Sequence, residues 1–420
     1  MRDVLPDEVE LRDGAMACIL DVYRRYGFRR VETPALESLR LLTGGQGGEN
    51  EKLIFKVLKR GDRLAASAEE GDGAELADLG LRFDLTVPLA RYYAHNHAKL
   101  PQPLKAIQIG PVWRAERPQR GRFRQFTQCD IDILGVLSEV AEIELILATA
   151  AALLALGLGD LTLRINDRRL LVAIAEHCGF ASDRFESVFI SLDKLDKIGL
   201  SGVRVELEAV GHPTDAVAKL VGILGEPGLA KGDLDDVLGA LPVDSGGAPA
   251  RALKAVMRAV RGASEGRFGI QFDPTLVRGM SYYTGQIFEI SHKDYPSSIA
   301  GGGRYDRMIG KLLGREVPAC GFSIGFERII AILQERAGVT DRVRRVALLF
   351  DPAQDDLAAV MTAAGRLREE GHCVSLEVRG KRLRKQLDDL AAHGFTDYVL
   401  FGTSEIHGLA SGAGERATSG

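Results

Sequence analysis

Apolar residues recur at helical spacing from Asp7 to Phe28, and the next ten residues, Arg29 to Ser38, read as a short edge strand stopped by Pro34. Residues 59–80 are polar and rich in Gly, Asp and Glu, the composition of a surface loop, and a strand-like run, 81-LRFDLTVPLARYY-93, follows. Two β-patterned runs, 104-LKAIQIGPVWRAE-116 and 123-FRQFTQCDIDILG-135, flank 117-RPQRGR-122 and predict an antiparallel pair with an unusually basic loop. A helix over 137–158 comes next. From about 165 to 265 the pattern is helical with short polar breaks, the signature of an inserted or appended helical module. Strand patterns return at 268–279, 281–292 and 299–306, and a run from 320 passes from strand to helix at Phe326. Beyond a junction near Arg336 to Asp341, strand and helix alternate as far as 397-DYVLF-401, which predicts a small α/β domain. The tail from 402 is rich in Gly, Ser and Ala, with no clear final strand.

At 420 residues the chain exceeds one ordinary core and predicts about two or three domains. Its 45% hydrophobic and 27% charged residues, with a formal net charge of −4, describe a soluble globular protein and exclude a disordered or collagen-like one. Bulk charge gives no sign of nucleic acid, so any such contact rests on two local basic clusters, 114-RAERPQRGRFR-124 and 379-RGKRLRK-385. For the second, a solvated helix face is the competing reading. The five cysteines (Cys18, Cys129, Cys178, Cys320, Cys373) are odd in number, widely spaced and never in a C-x-x-C pair, which argues against a disulfide framework or a zinc ribbon. No charged-then-apolar signal opens the chain, and the apolar run over 145–157 is too short to span a bilayer. The expectation is a cytoplasmic protein with no membrane partner.

Candidate chemistry narrows quickly. The stretch 43-TGGQGGEN-50 resembles a phosphate cradle but lacks the Lys-Ser/Thr of a P-loop, and an ordinary loop is the better reading. Gly301, Gly302 and Gly303, consecutive in a strand pattern, leave a side-chain-free floor on which a flat ligand can approach the backbone. His95 and His97 diverge on a helix and have no third ligand nearby, so no metal site is expected from a protein motif. Nor is any Ser/His/Asp or Cys/His arrangement readable. The arginines differ: Arg114, Arg278 and Arg328 each lie in an element that otherwise reads as core. One such arginine is usually a surface ion pair, but three predict a polyanion in a cleft, most commonly a nucleotide triphosphate. Arg278 is the sharpest case, because 276-LVRGMSYYTGQIFEI-290 sets it beside two tyrosines in what reads as a buried strand. An unpaired buried guanidinium costs several kcal/mol and demands a fixed anion or a solvated cleft. Carboxylates Asp84, Glu116, Asp130 and Asp132 lie in the same strands, and alternation puts Asp130 and Asp132 on one face with Gln128. Those acceptors suit an ammonium group, an imidazole or a divalent ion.

Three runs then carry a resemblance: 27-GFRRVETPALE-37, 113-WRAERPQRGRFRQFTQCDID-132 and 321-GFSIGFERI-329 resemble motifs 1, 2 and 3 of the class II aminoacyl-tRNA synthetases. Further, 81-LRFDLTVPLAR-91, 276-LVRGMSYYTG-285 and 299-IAGGGRYD-306 are similar to the histidine-specific elements of the histidyl-tRNA synthetase family, and the likeness extends to 192-LDKLDKIGL-200 and 381-KRLRKQL-387. It covers nearly the whole chain in order. The resemblance implies an α+β catalytic domain with an antiparallel sheet over residues 1–335, carrying a helical insertion at about 165–265, and a small C-terminal α/β anticodon-binding-like domain over 342–420. It also implies an aminoacyl-tRNA ligase, dimeric through motif 1, that joins L-histidine to ATP (with Mg2+) as histidyl-adenylate and passes histidine to the 3′ end of tRNA(His).

By that resemblance Arg114, Arg278 and Arg328 are the catalytic cations: Arg114 and Arg278 at the α-phosphate and substrate carboxylate, Arg328 at the γ-phosphate with Arg122 assisting. Glu116 faces the adenine amino group and Phe126 stacks on the ring. Asp84, Leu85, Thr86, Gln128 and Asp132 bind histidine, and Tyr282, Tyr283 and Tyr305 close the imidazole pocket over Gly301 to Gly303. Because adjacent strand residues face opposite sides, Tyr283 is the choice for the imidazole and Tyr282 for packing, and Arg278 joins Tyr283 only if the chain bends near Gly279 to Ser281. Many family members have Gly-Leu-Asp where this chain has Gly279-Met280-Ser281, a hydroxyl in place of a carboxylate. Two alternatives share the resemblance. A non-catalytic histidine-sensing subunit would be marked by loss of the motif arginines, which are present; a paralogue that makes histidyl-adenylate for a non-tRNA acceptor has the same active-site motifs.

Overall fold

The computed structural model describes residues 1–44, 50–70, 76–117, 123–226, 234–277, 282–336, 344–403 and 405–409. Strands Leu104–Trp113 and Gln125–Leu134 pair antiparallel along their whole length, from Leu104 opposite Leu134 to Trp113 opposite Gln125. They are the second and third strands of an eight-stranded sheet whose order is Arg29–Arg30, Leu104–Trp113, Gln125–Leu134, Ala319–Gly325, Ala300–Arg304, Gln286–His292, Leu161–Asp167 and Gly269–Phe272. Pairing is antiparallel throughout the centre and parallel only at the two ends. One face buries Cys129, Ile131, Ile133, Phe322 and Ile324 in the main core. Helices Pro6–Arg25 and Val140–Ala155 pack on one another, and the second also packs on strands Gln125–Leu134 and Ala319–Gly325. Each such side chain contributes about 1.5–3 kcal/mol when fully buried.

The chain divides into two compact units, Met1–Leu333 and Gln334–Gly420. Among its described residues the first has six α-helices between Arg168 and Ser264. Helix Arg168–Cys178 opens them, with the Asp167 carboxylate accepting the Arg169 N–H at 2.9 Å as its cap. In the second unit, strands Cys373–Val378, Arg345–Phe350 and Asp397–Leu400 run parallel, with helices Leu357–Glu369 and Leu383–Ala392 between them in sequence.

Several sequence expectations are corrected. The described residues of 59–80 are not simply a loop: 62-DRLAASAEE-70, rich in the helix formers Ala and Glu, is helical, and Ala77–Leu81 joins Leu36–Ser38 and Lys56–Leu58 in a small antiparallel sheet. The strand expected over 81–93 ends at Leu81, and Thr86–Asn96 is a helix. Its start is fixed by Asp84, whose Oδ1 accepts the Val87 N–H at 3.1 Å, while Pro88 falls in the first turn, where a missing N–H is harmless. Strand Leu161–Asp167, with alternating Leu161, Leu163 and Ile165 buried, precedes the helical module and lies across the start expected for it at about 165. The tail does gain a final strand, His407–Gly408, antiparallel to Asp397 and Tyr398. Finally, the strand pattern across 268–292 is not continuous among the described residues: 273–277 and 282–285 lie outside the strands Gly269–Phe272 and Gln286–His292, and Asp273 caps a turn by accepting the Thr275 N–H at 2.9 Å.

Candidate active site

The sheet face opposite the core explains the site. Along Gln125–Leu134 the alternate residues Gln128, Asp130 and Asp132 point away from the core. Register sets them opposite Gly325, Ser323 and Gly321 on one neighbour and Gly110, Gln108 and Ala106 on the other. Gln128 and Asp132 are flanked only by Gly or Ala, and Asp130 by Ser323 and Gln108, which leaves a trough. Gly301 and Gly303 extend it on the next strand, opposite Ser323 and Gly321. Side chains are excluded at several of these positions: a Cβ on Gly321 would lie 2.0 Å from Asp132 Oδ1, and one on Gly302 would lie 2.0 Å from the Gly321 carbonyl oxygen. The glycine run therefore serves close strand approach as well as leaving a bare floor.

A cavity of about 240 Å³ occupies this trough. Asp84, Thr86, Gln128, Asp130, Asp132, Gly301, Gly302, Gly303, Tyr282, Tyr283 and Tyr305 surround one part of it, and Arg114, Glu116, Phe126 and Arg328 also line it. Leu85 is buried beneath, its carbonyl accepting Gln108 Nε2 at 2.8 Å, and does not line the cavity. Arg278, with Gly279 to Ser281, and Arg122 lie outside the described residues, as does the bend between Arg278 and the tyrosines. Both Tyr282 and Tyr283 reach the cavity, because residues 282–285 precede the strand and escape its alternation. Their rings meet edge-on at 4.7 Å, and Tyr282 meets Tyr305 at 5.9 Å. Sequence reading passed over Ser323 and Glu327 as lining residues; the G-x-S-x-G spacing from Gly321 to Gly325 was the available signal for the first.

Buried acids dominate one end. The Tyr305 hydroxyl donates to Asp132 Oδ1 at 2.6 Å, and Gln128 Nε2 donates to Ser323 Oγ at 3.1 Å. Burial pushes the Asp132 carboxyl up to about 7, although the Tyr305 hydrogen bond opposes the shift. Burial likewise raises Asp84 to about 6 against the Val87 N–H and Arg114, and Asp130 rises well above the usual range through burial and then the neighbouring Asp132. Asp84 Oδ2 and Gln128 Oε1 are buried with no hydrogen-bond partner. Two orphan acceptors in one cavity are costly alone and suit a donor-rich ligand. Elsewhere the cavity is cationic and aromatic. Arg114 Nε donates to the Phe83 carbonyl at 2.9 Å, which aims its guanidinium 5.0 Å over the Phe126 ring. Arg328, in the first turn of helix Phe326–Arg336, donates to the Ser298 carbonyl. Among the described residues no group of three or more His, Cys, Asp or Glu side chains is placed to hold a metal ion.

A largely antiparallel sheet bearing motif 2 and motif 3 arginines around a polar trough is the catalytic unit of the class II aminoacyl-tRNA synthetases. A family profile described as "Histidyl-tRNA synthetase" matches residues 1–329. The chain is 49% identical to a histidine–tRNA ligase of Leifsonia xyli, covering 95% of this chain and 94% of that protein. It is 41% identical to a probable histidine–tRNA ligase of Tropheryma whipplei, covering 95% and 94%. Among solved structures, the histidyl-tRNA synthetase of Nostoc sp. PCC 7120 matches with a TM-score of 0.75 at 27% identity, covering 95% of this chain and 89% of that one. A Bacillus halodurans chain described as an ATP phosphoribosyltransferase regulatory subunit/histidyl-tRNA synthetase matches with a TM-score of 0.72 at 22% identity, covering 95% and 96%, a likeness of fold alone. The chain belongs to the histidyl-tRNA synthetase family.

Proposed function

We propose that this site carries out the family's reaction, histidine–tRNA ligation, with the trough as the histidine site and the arginine-lined part as the ATP site. The observation that carries the reading is the pair of orphan acceptors, Asp84 Oδ2 and Gln128 Oε1, beside the Asp132–Tyr305 pair. The substrate ammonium supplies donors to the first two, and an imidazole N–H meets Asp132 and Tyr305, with Tyr283 and Tyr282 closing over the ring. A site built this way rejects an isostere lacking the ring N–H by about 10⁴-fold, because its own buried groups are left unpaired.

ATP enters as its Mg2+ complex. Phe126 stacks on adenine, Glu116 faces its amino group, Arg328 holds the γ-phosphate with Arg122, and Arg114 and Arg278 neutralise charge at the α-phosphate. A histidine carboxylate oxygen bonds to the α-phosphorus, and the bond to the bridging oxygen breaks to release pyrophosphate. The nucleophile is already an anion, so no general base is required and catalysis rests on positioning and on cations where negative charge concentrates. A hydroxyl of the tRNA 3′-terminal adenosine then attacks the acyl carbon and AMP leaves. Residues 1–335 form the catalytic domain and 342–420 the anticodon-binding domain, with 379-RGKRLRK-385 contacting tRNA phosphates. The enzyme works in the cytoplasm as a homodimer. Charging of total tRNA with labelled histidine tests the reading: acid-labile label on tRNA(His) is expected, and its absence overturns ligation to tRNA.

A further inference from the structure

Two of the motif segments meet at a side chain that lies in neither. Arg12, on helix Pro6–Arg25, sends Nη1 to Glu327 Oε2 at 2.6 Å and Nη2 to Glu327 Oε1 at 2.8 Å. Nη2 also lies 3.3 Å from Thr127 Oγ1, the guanidinium sits 5.0 Å over the Phe326 ring, and the Thr127 N–H donates back to Glu327 Oε1 at 3.1 Å. The Arg12 and Glu327 side chains are only 13% and 8% exposed. A bidentate, largely dry guanidinium–carboxylate pair fixes orientation as well as distance, which a lysine cannot reproduce. The contact continues toward the N-terminus: Glu8 lies 3.7 Å from Arg12 and pairs with Arg2, whose guanidinium is 4.9 Å over Phe123. Phe123, Phe326 and Glu327 all line the cavity.

Sequence adjacency shows what this clamp holds. Glu327 immediately precedes Arg328, and Thr127 lies between Phe126 and Gln128, so the nucleotide bias of the clamp rests on its two contacts to the Phe326–Glu327 step beside Arg328. Neither partner of Arg12 is among the residues placed at histidine. We propose that Arg12 is a positioning residue for the nucleotide half of the site: from outside the motifs, it locks the start of helix Phe326–Arg336 to strand Gln125–Leu134, so that the adenine-stacking ring and the γ-phosphate arginine keep one fixed spacing. This rests on the functional reading above. Because the clamp acts on one half of the cavity, its loss separates the two substrates.

The test is histidine-dependent ATP–pyrophosphate exchange in Arg12→Lys and Glu327→Gln, with ATP and histidine titrated separately and the melting midpoint recorded. Arg12→Lys is expected to raise the KM for ATP about tenfold while the KM for histidine and the midpoint stay near those of the unaltered protein; Glu327→Gln, which removes the main counter-charge of Arg12, is expected to raise the KM for ATP alike with the KM for histidine unchanged and the midpoint lowered. An unchanged KM for ATP overturns the proposal. So does a rise in both KM values together with a lowered midpoint, which marks a merely structural pair. If the unaltered protein shows no exchange, the functional reading fails by itself. The ATP-induced rise in melting midpoint then decides on Arg12: a smaller rise in Arg12→Lys supports the clamp, and an equal rise overturns it.

Discussion

The two faces of strand Gln125–Leu134 share one backbone and have opposite fates. Cys129, Ile131 and Ile133 are at most 1% exposed in the apolar core, and they hold the sheet against its helices. Gln128, Asp130 and Asp132 are almost as buried, at 9%, 4% and 3%, yet they raise the energy of the unliganded fold by keeping carboxyls out of water. Parity along a strand thus separates stability from function: odd positions here stabilise the fold, and even ones store unmet hydrogen-bonding capacity for a ligand.

Breaking the core face has the largest expected effect. Ile131→Ala should lower unfolding stability by about 2–5 kcal/mol, read by denaturant melts, while the folded fraction keeps its KM for histidine. A loss of histidine binding out of proportion to unfolding would contradict the separation. Next, Asp132→Asn should cut histidine-dependent exchange about 10²-fold, roughly 2.7 kcal/mol in transition-state terms, with the fold retained. The smallest effect is on pH. Because burial raises Asp84 to about 6 and Asp132 to about 7, the folded protein holds protons that the unfolded chain has released. Their contribution to stability is fully present below the ordinary carboxylate range near pH 4 and is lost as pH rises through 6 to 7. Relative to the unaltered protein, Asp132→Asn should therefore be more stable at pH 8 than at pH 5, by on the order of 1 kcal/mol, and a pH-independent difference would show that Asp132 is not held neutral.

The same separation explains what the sequence made legible. Hairpin Leu104–Trp113 and Gln125–Leu134, the strand-to-helix switch at Phe326 and the shared face of Gln128, Asp130 and Asp132 all follow from periodicity, which a sheet buried on one side enforces. Helix Thr86–Asn96 was misread because Val, Phe and Tyr outweighed a capping aspartate whose meaning depends on the Val87 N–H. Tyr282 was set aside on alternation that residues 282–285 do not obey. The need for glycine at Gly302 and Gly321 arises from neighbouring strands and from Asp132, partners far away in sequence. Arg12 carried no signal at all, since its meaning lies in a contact with Glu327 across 315 positions.

The most direct test of the central claim is ATP–pyrophosphate exchange run with each proteinogenic amino acid in turn. Exchange with histidine alone is the predicted result, because histidine joins an α-ammonium for the Asp84–Gln128 end of the trough to a small, flat ring N–H for the Asp132–Tyr305 end. No exchange with histidine, or equal exchange with glutamine or phenylalanine, would contradict it.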